Sequence, residues 1–319
     1  MSNVGIDVSK NSLDVFIRPS EQALRFDNDD SGRAALTKQL KKIKPERIVL
    51  EATGGYELAA ANALAAAKLP VIVANPRQVR SFAIAIGRLA KTDKIDAELI
   101  ARFAESVQPE VRALKPEETR QLEALVSRRR VLVECRSDEM KRKHNATQEK
   151  VVASIEAHIE FLDEQINDVD KDMGDFIKAS SAWREHDELL QSVPGVGPVT
   201  SRTLTALLPE LGKLTRKEIA SLVGVAPFNQ DSGAMRGRRS IKGGRGAVRE
   251  VLYMTASVAI QHNPLIKEMY ERLTAASKHH KVAVVACIRK LLTILNAMVR
   301  DKKPWSLTIA SAGKLSECA

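Results

Sequence analysis

Four carboxylates in the first hundred residues carry the clearest chemical signal in this 319-residue chain. Asp7 closes the apolar run Val4-Gly5-Ile6, and Glu51 closes Ile48-Val49-Leu50. Each therefore puts a charge at the C-terminal edge of what patterns as a buried strand. A carboxylate there is costly unless a cation or hydrogen bonds share its charge. Asp93 and Asp96, in Lys91-Thr-Asp-Lys-Ile-Asp96, are three residues apart, so one helical turn presents both on the same face. Together the four form an oxygen-only donor set suited to a hard divalent metal, Mg²⁺ or Mn²⁺. Lys91 and Thr92 could contact a phosphate or simply cap the helix. Asp14 is expected to face solvent rather than metal.

A second stretch, residues 229–246, is rich in glycine and arginine and nearly free of bulky apolar residues. It reads as a loop whose guanidinium and backbone groups are available to phosphates. Arg236, Arg238, Arg239, Lys242 and Arg245 in it, with Arg249 just beyond, are expected to position a nucleic-acid backbone rather than to read sequence. Ser232, in Asp231-Ser-Gly, and Ser240 are the hydroxyls it offers, and a lone Ser-Gly turn is by itself usually structural. In Ser192-Val-Pro-Gly-Val-Gly-Pro198, Gly195 and Gly197 flank one apolar residue before a helix start. The pattern resembles the hairpin of a helix-hairpin-helix motif, whose exposed amides accept a phosphate; an ordinary glycine turn is the alternative. His262, His279 and His280 read as surface residues, and Trp183 and Trp305 as core anchors.

The elements that must position these groups fall into three regions. Residues 1–110 alternate strand and helix patterns: strands at 4–8, 13–18 and 24–26, a helix from Asp30 or Ser31 through Leu40, a strand at 47–50, a helix at 57–68, a strand at 70–74 and a helix at 96–106. A three-strand meander followed by alternating helices and strands resembles the order of a ribonuclease H-like fold. Residues 111–190 begin with a linker. From 117 to about 175 they lack proline and carry Leu122, Leu125, Val126, Leu132, Val133, Val152, Ile155, Ile159, Leu162, Ile166 and Val169 at helical spacing, which fits a coiled coil or helical hairpin. The Arg128-Arg129-Arg130 and Lys141–His144 clusters on it read mainly as solvated faces. Residues 191–319 read as a mainly helical domain.

Charge is divided unevenly between these parts. Residues 1–191 hold 30 Lys and Arg against 32 Asp and Glu, whereas residues 192–319 hold 20 against 8. A near-neutral part with acidic ligands and a strongly basic part suggest work on a polyanion. Hydrophobic residues make up 44%, enough for true cores. No apolar run is expected to span a membrane, and the start of the chain lacks a signal-peptide pattern. Three cysteines without metal-type spacing suit a reducing cytoplasm.

The order Gly5-Ile-Asp7, Glu51-Ala-Thr-Gly-Gly-Tyr56 and Lys91-Thr-Asp-Lys-Ile-Asp-Ala97 closely resembles the Piv-like DEDD transposases of bacterial insertion sequences, which include RNA-guided bridge recombinases. Ser192-Val-Pro-Gly-Val-Gly, Gly224-Val-Ala-Pro, Asp231-Ser-Gly, Lys242-Gly-Gly and Leu252-Tyr-Met follow the same family's order. The resemblance implies a RuvC-like N-terminal domain with Asp7, Glu51, Asp93 and Asp96 as metal ligands, a coiled-coil middle, and Ser232 as the nucleophile in a basic C-terminal domain. It also implies donor and target DNA, a structured bridge RNA, a homo-oligomer in which the acidic site of one protomer acts with Ser232 of another, and residence at the nucleoid. The competing readings are a RuvC-like nuclease without a covalent intermediate, a non-catalytic DNA-binding protein, and an actin- or hexokinase-like ATPase. The last is disfavoured because no second acidic hairpin is present.

Overall fold

The computed structural model describes residues 2–88, 93–111, 114–229, 231–232, 235–237 and 239–306. The chain divides into two compact units, Met1–Lys115 and Pro116–Ala319.

Alternating apolar residues build the sheet of the first unit. Strands β1 (Asn3–Val8), β2 (Ser12–Arg18) and β3 (Gln22–Asp27) run antiparallel, while β4 (Arg47–Glu51) and β5 (Val71–Ala74) lie parallel to β1, in the order β3-β2-β1-β4-β5. Val4, Ile6, Leu13, Val15, Ile48 and Leu50 share one face. There they bury Leu36 and Leu40 of α1 (Asp30–Ile43) and Ala60 and Leu64 of α2 (Glu57–Ala66). Helix α1 starts because Asp29 accepts a hydrogen bond from the Gly32 amide at 2.7 Å, a cap whose loss costs about 1 kcal/mol.

On the opposite face, Val49, Ile72 and Ala74 pack against Val79 and Ala83 of α3 (Pro76–Ala85) and Leu99, Ile100 and Phe103 of α4 (Asp93–Val107). Helix α4 crosses β1 at very short range. A Cβ on Gly5 would lie 2.2 Å from the Ala101 nitrogen and 2.4 Å from the Ala97 carbonyl oxygen. Helix α3 was not anticipated from sequence, although Asn75 caps it, accepting from the Arg77 amide, with Pro76 in its first turn. Helix α4 begins three residues earlier than expected.

The second unit opens with a helical hairpin, α5 (Glu117–Asn145) and α6 (Glu149–Ala179). Ion pairs Arg129–Asp170 (2.7 Å), Arg136–Asp163 and Lys143–Glu156 (2.8 Å) join residues whose numbers rise on one helix as they fall on the other, which is the signature of an antiparallel pair. Leu132, Leu162 and Ile166 form its seam, and Leu122, Val126, Met173 and Ile177 bury its base with Ala206.

Beyond it come α7 (Ser181–Gln191), α8 (Pro198–Leu207), α9 (Arg216–Val223), α10 (Gly246–His262), α11 (Pro264–Ala275) and α12 (His280–Asp301). Their core gathers Leu204, Ile219, Val223, Val248 and Leu252 around Ile288, Leu291, Leu292 and Leu295. Contrary to the sequence-based expectation, α12 is long and apolar enough to cross a membrane by length and composition. Its apolar character has another cause here: eight of its residues, from Val284 to Met298, are buried in this core.

Candidate active site

Asp7 and Glu51 end neighbouring strands on one side of the sheet. Ile6 of β1 lies opposite Leu50 of parallel β4, so the next register step brings Asp7 beside Glu51, strands about 4.8 Å apart. Both side chains are half-buried and fall on the Gly5 and Val49 face, the one α4 covers. Gly5 is what lets α4 come so close. Asp96 precedes Ala97, whose carbonyl lies over Gly5, so α4 carries Asp96 to the side on which Asp7 projects. Asp7, Glu51 and Asp96 are all engaged by neighbouring groups. The side chain of Asp93, and Lys91 and Thr92 entirely, lie outside the described residues. Among the described residues no three His, Cys, Asp or Glu side chains close into a metal-holding group. What is present fits a hard cation in kind, because the donors are carboxylate oxygens with no sulfur or imidazole near them in the sequence.

Two further carboxylates belong to this neighbourhood. Asp14 pairs directly with Asp7 across β1 and β2, with its side chain only 19% exposed. This corrects the expectation that it faces solvent: the antiparallel register puts both aspartates on one face. Arg25 approaches Asp14 at 3.7 Å and the Ser12 hydroxyl donates to it at 3.5 Å. Glu57, at the start of α2, is buried; one of its oxygens accepts from the Thr53 amide (3.1 Å), the Thr53 hydroxyl (3.0 Å) and the Gly55 amide (2.9 Å). Burial pushes this carboxyl up, but the amide and hydroxyl donors outweigh it and hold it below its ordinary value. Glu57 thereby fixes the turn that follows Glu51, where Gly54 and Gly55 sit at φ +81° and +128°. Both residues were missed in the sequence. A signal existed for Glu57 in the Thr-Gly-Gly-Tyr-Glu order of a helix start; none existed for Asp14 without the strand register.

Ser232 stands on a small two-tiered excursion in the second unit. β6 (Pro227–Phe228) pairs with β9 (Ser240–Ile241), Phe228 opposite Ser240, and within the span they close, β7 (Asp231–Ser232) pairs with β8 (Met235–Arg236), Ser232 opposite Met235. Ser232 and Ser240 are both exposed. The side chain of Arg236 and all of Arg238 lie outside the described residues, while Arg239 and Lys242 are exposed. Arg245 is turned inward, donating to Glu210 at 2.5 and 2.6 Å and to the Leu207 carbonyl at 2.8 Å. Arg249 donates to the carbonyls of Val223 (3.1 Å) and Gly243 (2.7 Å). It thus pins a crossing so tight that a Cβ on Gly244 would sit 2.3 Å from the Gly224 nitrogen. Gly195, at φ +98°, packs its turn against Ala259 of α10, where a Cβ would lie 2.7 Å from the Ala259 Cα. Gly197 precedes α8 with open space beside it and no side-chain cap at the helix start.

Two independent stretches of the chain match models of one transposase family. Residues 4–150 match a model described as a transposase, of the DEDD type found in IS110 elements, and residues 187–271 match the transposase model of the IS116/IS110/IS902 family. The chain is 28% identical over 323 residues to the pilin gene-inverting protein of Moraxella bovis, covering 96% of this chain and 98% of that one, and equally similar to its Moraxella lacunata counterpart. It is also 31% identical over 156 residues to an uncharacterized 42 kDa protein of insertion element IS900 from Mycobacterium paratuberculosis, covering 47% of this chain and 38% of that one. Across those two stretches the chain matches the IS110 family of transposases, enzymes of DNA transposition and recombination.

Proposed function

We propose that this transposase cuts and rejoins DNA through a covalent phosphoserine intermediate, with an acidic metal centre of Asp7, Glu51, Asp93 and Asp96 in a RuvC-like, ribonuclease H-like first unit. One observation carries the reading: Asp7 and Glu51 end neighbouring parallel strands in matched register, on the side over which α4 brings Asp96. The strand order β3-β2-β1-β4-β5 supports the same fold reading. When bound, a pair of Mg²⁺ ions would supply charge neutralisation to the attacking and leaving oxygens of a phosphodiester. The four carboxylates hold that charge in place, Asp14 supports Asp7 from the next strand, and Glu57 keeps the turn after Glu51 in shape.

Ser232 Oγ attacks phosphorus. A P–Oγ bond forms, the P–O bond to the departing strand breaks, and that strand leaves as an alcohol carrying the proton the serine gives up. The phosphoester stored on Ser232 is then available for rejoining. The name of the Moraxella relatives supports rejoining over simple hydrolysis, because inverting a gene requires both cutting and resealing. Exposed Arg239 and Lys242 contact the DNA backbone together with Arg236 and Arg238, whereas Arg245 serves it by shaping the loop and Arg249, with donors left beyond its two carbonyls, does both. Gly197 and the start of α8 take a backbone phosphate in the manner of a helix-hairpin-helix segment, with Gly195 fixing the turn. A structured bridge RNA selects donor and target by pairing, and protomers assemble through the α5–α6 hairpin as a coiled coil, at the nucleoid.

The deciding experiment sequences small RNAs that copurify with the full chain, then incubates the protein with Mg²⁺ and DNAs complementary to them. A denaturation-resistant protein–DNA adduct on Ser232 with rejoined product is expected. Cleavage by the intact protein without any adduct would reduce it to a metal-dependent nuclease.

A further inference from the structure

We propose that a groove between β9 and α12 receives an unpaired DNA strand, with a base against its apolar floor and the flanking phosphates on a rim of cations. The inference rests on the reading above that the protein handles DNA, and it adds a binding site at the foot of the excursion that carries Ser232. The groove has a volume of about 900 Å³ and lies entirely within the second unit. Its apolar floor is formed by lining residues that keep some surface, Tyr253 of α10 with Val282 and Val285 of α12. Its rim carries Arg239, Arg249, Lys281 and Arg289 against a single acidic side chain, Glu250.

Charge complementarity selects the occupant. Arg239, Lys281 and Arg289 are exposed and have no ion-pair partner among the described residues, and Arg249 has donors left beyond its two carbonyls. Four cations around an apolar slot suit a polyanion that also has flat apolar faces to bury, which describes a strand with its bases unstacked. A duplex keeps its bases stacked inside and would leave the floor wet. Lys281 and Arg289 are eight residues apart on α12, about 12 Å along the helix, so they can hold separate phosphates. The groove wall also includes Ser240, which pairs with Phe228 to close the span holding Ser232. A strand seated here would be held just where that excursion leaves the body of the unit.

The test uses the full-length protein in EDTA and fluorescence anisotropy with a labelled 20-nucleotide DNA strand, the same length of duplex DNA, and a 20-nucleotide RNA. The double variant Lys281→Ala/Arg289→Ala should lose about 10-fold or more in affinity for the DNA strand, with the salt dependence of log K shallower by about 1.4, the share of two phosphate contacts on a single strand. Duplex binding should change by less than about 2-fold. The pair Lys267→Ala/Arg272→Ala, equally exposed on α11 and outside the groove, is the charge control. A 20-mer containing 5-iododeoxyuridine should photocrosslink the unaltered protein at the Tyr253 peptide. Equal losses in the charge control, equal losses on duplex, a loss confined to RNA, or crosslinks solely elsewhere would each overturn the proposal. Binding is read without metal, so a failed groove leaves the Ser232 chemistry standing, and an absent Ser232 adduct leaves the groove standing.

Discussion

At the residue scale, the acidic side of the first unit is held by groups that do not themselves touch a reacting atom. Asp14 sits across from Asp7. If it supports a bound cation through Asp7, Asp14→Asn should weaken Mn²⁺ binding about 10-fold in calorimetric titration, in the range seen for outer partners of metal ligands; unchanged affinity would leave Asp14 a partner of Arg25 and Ser12 only. Glu57 gives a pH signature. Its folded carboxyl lies below its unfolded value, so its stabilisation is present above the unfolded value and disappears as pH falls through the folded one. Thermal melts of the parent should therefore drop more steeply on acidification below about pH 5 than those of Glu57→Gln, which should be less stable at pH 7 by about 1.5–3 kcal/mol, the worth of hydrogen bonds to a charged group. A parallel pair of melting curves would remove Glu57 from this role. Cys287 offers a simple check of the second unit's packing. Burial raises its thiol to about 11, whereas Cys135 is exposed, so iodoacetamide at pH 8 should label Cys135 and leave Cys287 untouched until the unit unfolds.

Elements differ in how much of them the sequence reveals. The β1–β2–β3 meander and the strands of Glu51 and Ala74 are legible because each buried strand alternates or runs apolar between turn residues. The hairpin α5–α6 is legible because its seam residues recur at helical spacing over many turns. Helix α3 is not, because only Val79 and Ala83 of its ten residues are buried, too few to set a period. The short strands β6 to β9 are illegible for a related reason: two residues each cannot display alternation, and the crossing of Gly224 and Gly244 that flanks them joins positions far apart in the chain. Asp14 shows the same limit within the site, since which carboxylates share a face follows from register rather than from spacing. The hairpin makes its own prediction. Val131, Met140, Val151 and Phe161 are all more than 40% exposed on it, an unusual apolar load for helices in water. Met140→Glu with Phe161→Glu should lower the assembly mass measured by light scattering without loss of helix content, and an unchanged mass would take the hairpin out of assembly.

For the whole molecule, the division of charge matches the proposed division of labour. The carboxylates proposed for metal lie in the first compact unit, and Ser232 with the exposed cations of its loop lies in the second. Binding and chemistry should therefore be separable by mutation. Ser232→Ala removes the attacking oxygen and nothing that holds DNA, so it should retain affinity within about 2-fold while losing the covalent adduct entirely. Asp96→Asn should do the same to the adduct by a different route, since neutralising one carboxylate of a shared set weakens the cation site rather than the nucleophile. Each variant then keeps what the other lacks. If the acidic site of one protomer serves the serine of another, as the family resemblance implies, mixing the two purified variants should restore a measurable fraction of adduct, seen as DNA-linked protein on a denaturing gel. A mixture as inactive as its components, with mixed oligomers shown to form by pull-down of differently tagged chains, would confine both groups to a single chain. An adduct that survives in Ser232→Ala would move the nucleophile to Ser240, the other exposed hydroxyl of the excursion, eight residues on.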